Sequence, residues 1–507
     1  MISRIGVEDR HFNNVNKNNA KQNPAFKSGV GGAFLSCIQA CERNPMVNVA
    51  VIDLLSAILP RTFVESLTNW FAGFEAFRRE SSGLIVNCMI PSVVAMGFAG
   101  ALNKFVIPKG ANMTGCWADS SLIQKATDIY SNSQADDKVK DSLKEILKDI
   151  EGTDGKTKVK FGEALSEAEL EEYANRLKEL STSKKSRKEF NNEISKITKE
   201  LAEKTHVFES VKVGDVKATT TTTLLEDSVK YFREFQKAGK GTNIAEFAKK
   251  SKNLVKTKSA LGLAVILPLA ASMQYINRWI TEKSSGVKGA PIYDDFGKDQ
   301  DEEIRAKAKE GLFKQKLISI SSMVGVALLS MMKKPTLGML EFKGIFPTMD
   351  QARIISTTTF ASRMAAADDK NELAEATVRD IATFSSMYFL GDYVAKATAT
   401  AIQKKTGITL LNDTKPLKGD ENAMKKFWHW VKDVNIKSSE EVIGKKAVNM
   451  RSACQAANLG VSLLLLGLVI PIFTRKNTQK KHAEALKAAH GDQSTNTVTP
   501  SRTNNVA

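Results

Sequence analysis

Histidine is scarce in this chain of 507 residues: there are five, His11, His206, His429, His482 and His490, and three of them lie near the termini. That scatter argues against a histidine-based metal or catalytic site. Cysteine is equally sparse. Cys37, Cys41, Cys88, Cys116 and Cys454 are odd in number and irregular in spacing, which argues against a disulfide framework. Cys37 and Cys41 can share one helix face, but a zinc site needs about four such ligands and no histidine or further cysteine is near. They read as small buried residues. No G-x-x-x-x-G-K-[ST], G-x-S-x-G or H-E-x-x-H occurs. Gly239-Lys240-Gly241-Thr242 has some phosphate-loop letters at the wrong spacing. No catalytic residue, cofactor or metal site is therefore expected, and the chain does not read as an enzyme. Residues 1–28 contain no apolar signal-peptide core; they are rich in Asn and Lys and read as a disordered polar arm.

Charge is missing as well, in particular windows. Gly83–Leu102 runs twenty residues without a charge, Ser259–Asn277 nineteen, Leu317–Met332 sixteen and Ser452–Thr474 twenty-three. A bilayer core of about 30 Å needs about 20 apolar residues of helix. The fourth window exceeds that length, the first two match it and the third is short. Pro91, Pro268 and Pro471 fall in these windows; membrane helices tolerate them because neighbours satisfy the freed carbonyl. Two more stretches, Met46–Leu59 with Asp53 and Ile381–Ile402 with Asp392 and Lys396, can cross, pack between spans or lie in the interface. Gly29–Cys41 and Met46–Leu59 form a broken or re-entrant pair around Asn44-Pro45 on this reading.

The formal net charge is +17. Its placement points to a membrane rather than to nucleic acid, for which no motif is present. Lys237, Lys240, Lys249, Lys250, Lys252, Lys256 and Lys258 lead into one apolar window. Lys314 and Lys316 precede another that Lys333 and Lys334 follow, and Arg451 and Arg475 bracket the last. Lipid headgroups favour such flanks. Lys425, Lys426, Phe427, Trp428, His429 and Trp430 cluster in the basic stretch 415–451, suiting either a bilayer interface or ordinary packing on protein.

Between Asp119 and Lys258 the balance changes, with 28 Lys/Arg against 25 Asp/Glu. Residues 137–150 and 186–204 read as polar-faced helices, and Ser166 with Glu169 as a capping box opening a helix through about Leu180. His206–Val213, the turn Gly214-Asp215 and the β-branched Val216–Thr223 predict a small hairpin. The polar connection Thr281–Lys316 contains loop glycines, and Glu302–Lys316 reads as a helix running into the third window.

Polar residues beside the apolar windows form the candidate site: Asp53, Arg61, Glu75, Arg78, Arg79, Glu80, Asn87 and Asp392. Glu75 lies four residues before Arg79, the favourable order for an ion pair on one helix face. Charges this close to apolar segments are paired, face a cavity or snorkel to the interface.

The arm Asn23-Pro24-Ala25-Phe26-Lys27, the run PRTFVESLTNWFAGFEAFRRESSG at 60–83 and the loop GAPIYDDFG at 289–297 resemble uncharacterised bacterial multi-pass membrane proteins. Those proteins share a short N-P-x-F-K arm and an R-E pair before an apolar helix. The resemblance implies a membrane protein and brings no activity with it.

The expected architecture is an all-α membrane protein, a helical bundle of about four to six transmembrane spans with a charged, mostly helical soluble insertion. The arm covers 1–28, a first membrane region 29–107, the insertion 108–258, a second membrane region with polar loops 259–474, and a basic then polar disordered tail 475–507. Two functions compete. One is a structural or interaction protein of the bacterial envelope, placed in the inner membrane, with lipids around the spans and a protein partner at 108–258. The other is a transporter or channel with Asp53, Asn87 and Asp392 along a polar path. The absence of an internal repeat favours the first.

Overall fold

In the computed structural model most residues from 35 to 480 are described; 1–34, 286–310 and 481–507 are the longest stretches outside the described residues. The N-terminal arm, the GAPIYDDFG loop, most of the Glu302–Lys316 segment and nearly all of the tail fall there.

Among the described residues, five helices are long and apolar enough to cross a membrane. They are α1 (Pro45–Ser66), α2 (Trp70–Val106), α8 (Ile244–Ser285), α9 (Leu312–Met331) and α13 (Lys446–Thr474). Each of the four uncharged windows lies in one of them, apart from Met332. The fifth, α1, carries the shorter Met46–Leu59 stretch. Asn44 breaks the chain before it: its side chain accepts from the Met46 amide at 2.9 Å, and Pro45 occupies the first turn, where a missing N–H costs nothing.

The distribution of polarity is inverted relative to a soluble protein. Phe63, Phe74, Met89, Phe313, Leu329, Leu464 and Phe473 point outward, while Asn48, Arg61, Glu75, Glu80, Asn87, Gln274 and Asn458 are buried. Water would leave that outer surface strongly unfavourable, at roughly 25 cal/mol per Å² of apolar area. Hydrocarbon removes the penalty and demands in return that polar groups pair inside. The protein is an all-α membrane bundle.

Three prolines mark where the spans deviate from α geometry. Pro60 follows a π-helical turn at Asp53–Ile58, Pro91 one at Ile85–Met89, and Pro471 one at Leu463–Val469. Proline lacks an amide hydrogen and collides with the carbonyl four residues earlier, and a wider turn just ahead of it absorbs both faults.

The insertion is a separate layer with its own core. Its helices are α3 (Ser120–Asn132), α4 (Lys138–Lys148), α5 (Glu167–Thr182), α6 (Arg187–Thr205) and α7 (Thr221–Lys237). The capping box expected at Ser166 is present, with Ser166 N donating to Glu169 at 2.8 Å, and a second sits at Ser186. Leu143, Phe161, Leu170, Phe190, Leu201, Tyr231 and Phe247 fill the interior. A small antiparallel sheet has the order β2-β1-β3-β4, from Ile150–Thr153 (β1), Lys158–Lys160 (β2), Lys212–Val213 (β3) and Val216–Lys217 (β4). The hairpin is shorter than its β-branched sequence predicts. Thr220 turns away to cap α7, bonding the Thr223 amide at 3.0 Å, because that helix buries Leu224, Leu225 and Phe232.

Helix α8 joins the two layers. Its 42 residues extend about 63 Å at 1.5 Å each. Phe247, Leu254 and Val255 belong to the insertion core, and Leu263, Ile266 and Ala270 to the membrane core. Lys258, expected at the headgroups, is instead buried at this junction with Nζ 4.6 Å from the Trp117 ring centroid and 3.4 Å from the Cys116 carbonyl. A connecting segment adds a second tie: Glu341 accepts from Ser120 N at 2.8 Å and from its hydroxyl at 2.7 Å, and Lys343 pairs with Asp119 at 2.6 Å.

Helix α10 (Met349–Ala366) and helix α11 complete the bundle; α11 runs Lys370–Ser385, a π-helical turn Ser386–Leu390, then Gly391–Thr406. Helix α11, which carries the Ile381–Ile402 stretch, packs between the spans. Beyond it, β5 (Leu411–Asp413) pairs with β6 (Val434–Ile436), flanking the short helix α12 (Ala423–Lys432).

Candidate functional site: a buried ionic cluster between the spans

Helix α2 opens with the sequence WFAGFEAFRRESSG, which places Glu75, Arg79 and Glu80 on its inner side, all buried. Arg79 Nη1 stands 3.4 Å from Glu75 Oε2, and its Nη2 stands 3.4 Å from Glu80 Oε1. Arg78 points sideways toward α8. It donates to the Thr281 hydroxyl at 2.7 Å and to the Asn277 carbonyl at 3.0 Å, with Glu75 at 3.7 Å.

Three other helices close the cluster. Arg61 of α1 reaches Glu80 Oε1 at 3.2 Å and donates to the Thr383 hydroxyl at 3.1 Å. Arg363 of α10 bridges Glu80 Oε2 at 3.4 Å and Asp380 Oδ1 at 2.8 Å. Arg379 of α11 adds an Nε contact of 3.1 Å to the same Asp380 oxygen. Taking an ion out of water costs several kcal/mol, and only close pairing returns it. Here four buried arginines, with the partly buried Arg78, share three buried carboxylates, and each carboxylate meets at least two of these five cations.

Beside the ions is a cavity of about 20 Å³. Asp53, Arg61, Glu80, Asn87, Tyr388 and Arg363 are among the side chains lining it. Of the four π-helical turns among the described residues, three face it, contributing Asp53, then Asn87 and Cys88, then Met387 and Tyr388. Asn87 Oδ1 accepts from the Thr359 hydroxyl at 3.0 Å, and the Tyr388 and Ser356 hydroxyls share a hydrogen at 2.7 Å. A volume of this size holds about one water molecule.

The structure thus brings Asp53, Arg61, Glu75, Arg78, Arg79, Glu80 and Asn87 into one neighbourhood. Asp392 stands apart. It lies farther along α11, where its charged neighbours are Arg353, Arg451 and Lys396. The polar path imagined through Asp53, Asn87 and Asp392 is therefore not one lined cavity. The sequence reading did not single out Arg363, Arg379, Asp380, Thr383 or Tyr388. Their one sequence signal is isolated charge inside moderately apolar helices, which a hydropathy window averages away. Among the described residues no group of three His, Cys, Asp or Glu side chains converges as metal ligands. No family model matches the chain, and no curated protein or solved structure matches it.

Proposed function

We propose that this is a structural or interaction protein of the bacterial inner membrane, in which an ionic core fixes the packing of the spans and the charged insertion meets a protein partner. The observation that carries this reading is the mutual ion pairing of the cluster beside a cavity of about 20 Å³. A solute path needs vacant polar groups and room for the solute. These arginines and carboxylates pair with one another, leaving Arg61 Nε, Arg363 Nε and Asp380 Oδ2 buried without a hydrogen-bond partner among the described residues, and the space left fits a water. Buried ionic groups of this kind are best attested as devices that select one packing over alternatives. Helix α8 and the Glu341–Ser120 contacts tie the insertion to the bundle, which suits a part that presents a surface.

A transport reading has one observation in its favour. Asp53 lines the cavity and forms no ion pair or side-chain hydrogen bond among the described residues, and three irregular turns surround it. Such turns recur at functional sites, and intramembrane carboxylates serve proton relays. Proteoliposomes under imposed proton and cation gradients separate the two. Flux equal to that of empty vesicles supports the structural reading. Flux that Asp53→Asn abolishes would replace it with the transport reading.

A further inference from the structure

Helix α12 has the sequence AMKKFWHWVK, and none of its residues is fully buried. Its exposed face is nonetheless apolar: Met424 is 65% exposed, Phe427 54% and Trp428 49%. These positions, with Val431, follow the i, i+3, i+4, i+7 spacing of one helix face. The other two sides are held. Trp430 Nε1 donates to the Thr400 hydroxyl at 3.0 Å, with Lys396 Nζ 4.6 Å from the Trp430 ring centroid. His429 meets Asp413 of β5 at 2.9 Å. The helix is fixed with its aromatic stripe outward.

Its depth follows from the packing of α11 on α13. Ser386 Oγ donates to Ser462 Oγ at 3.3 Å, and Gly391 abuts Asn458. The two helices therefore run antiparallel, with paired positions summing to about 848 or 849 by these contacts. Continuing the register puts Lys396 near position 453 and Thr400 near position 449, either side of Arg451. Arg451 is the last charge before the uncharged run Ser452–Thr474. Trp430, anchored on Lys396 and Thr400, marks the level where that span enters the hydrocarbon. A stripe of Met, Phe and Trp at that level lies at the headgroup–acyl boundary, where aromatic side chains concentrate.

We propose that α12 is an interfacial anchor that seats Met424, Phe427 and Trp428 in one leaflet and recruits anionic phospholipid through Lys425, Lys426 and Lys432. The charge argues for the anionic class. Residues 415–451 carry nine Lys/Arg against five Asp/Glu, a net excess that holds with Lys425 paired to Glu421 at 2.9 Å, and Lys432 stands 5.3 Å from the Trp428 ring centroid, beside the surface it would serve.

The test uses the full chain in nanodiscs of equimolar phosphatidylcholine and phosphatidylglycerol, with p-benzoylphenylalanine in place of Phe427. Irradiation followed by mass spectrometry reads what the probe touches. The expected result is a lipid adduct with phosphatidylglycerol about five-fold over phosphatidylcholine, the enrichment one or more lysines at an anionic surface produce. The combined Lys425→Gln, Lys426→Gln and Lys432→Gln changes should return that ratio toward one. The same probe at Asn175, exposed on α5 of the insertion, should yield no lipid adduct. A cross-link from position 427 to a second copy of the chain or to another protein overturns the proposal. So do adducts that simply mirror the bulk lipid ratio. Because the probe replaces an outward side chain, elution of the labelled protein as the unlabelled one does on gel filtration establishes its fold independently.

Discussion

Glu80 Oε2 and Arg363 Nη2 stand 3.4 Å apart although 283 positions separate them in the chain. The other Glu80 oxygen is 3.2 Å from Arg61. One carboxylate on α2 thereby ties together α1, α2 and α10, the helices on either side of the insertion. Glu80→Gln removes the only charge that Arg61 meets as an ion pair among the described residues. Breaking a buried pair from one side costs about 3–5 kcal/mol. The variant should melt well below the parent in detergent, and Glu80→Leu combined with Arg61→Met should recover part of the loss. Differential scanning fluorimetry of purified protein measures both. Equal melting of Glu80→Gln and parent would remove the ionic core from the account of stability.

Glu75 and Arg79 should couple in a double-mutant cycle. An exposed pair at this spacing contributes about 0.3–0.5 kcal/mol. Both side chains are buried here, so the coupling of Glu75→Ala with Arg79→Ala should exceed about 1 kcal/mol, within the range of contacting residues. Thermal stability in detergent supplies the four corners of the cycle, and a coupling within error of zero contradicts the buried geometry.

Asp227 gives the insertion a pH dependence. Burial raises its pKa to about 7, the nearby Glu226 adds to the rise, and Lys230 and the Trp117 amide oppose it. In the unfolded chain the carboxyl ionises near its usual value of about 3.9. Between those limits the folded state binds the extra proton, so this group's contribution to stability falls as pH rises from about 4 to about 7. Asp227→Asn cannot ionise. The stability of the variant relative to parent should grow by about 4 kcal/mol over that interval and stay level above it. Melting curves of both proteins at pH 5 and pH 8 check the sign.

Leu465 lies on the outward side of α13, 38% exposed, within a run without charges. Leu465→Arg should prevent stable insertion of this span, since a charge near a helix centre costs about 2.5–3.5 kcal/mol on insertion scales. A glycosylation reporter carrying the segment reads the outcome. Insertion equal to that of the parent segment would show that α13 does not cross in its own right.

Four of the spans were legible in the sequence because hydrocarbon imposes a rule on contiguous residues: about twenty in a row must avoid charge. The Ser166 capping box was legible for a similar reason, since its partners are three residues apart. Helix α1 was not, because Asp53 and Arg61 interrupt its apolar run and only their burial against α2, α10 and α11 shows that they point inward.

What the sequence by itself determined is local: which segments are apolar enough for a bilayer, where a charged layer interrupts them, and that Glu75 and Arg79 share a face. The tertiary structure alone decided the rest. Glu80 could not be assigned its partners Arg61 and Arg363, nor Asp380 its pair of arginines, because ion pairing across helices depends on distance in space and leaves no periodic trace along the chain. Lys258 marks the same limit. As a letter it flanks an apolar window, and in the fold it lies under Trp117. An isolated charge reads alike whether lipid headgroups, water or a buried partner receives it, and only packing settles which of the three is there.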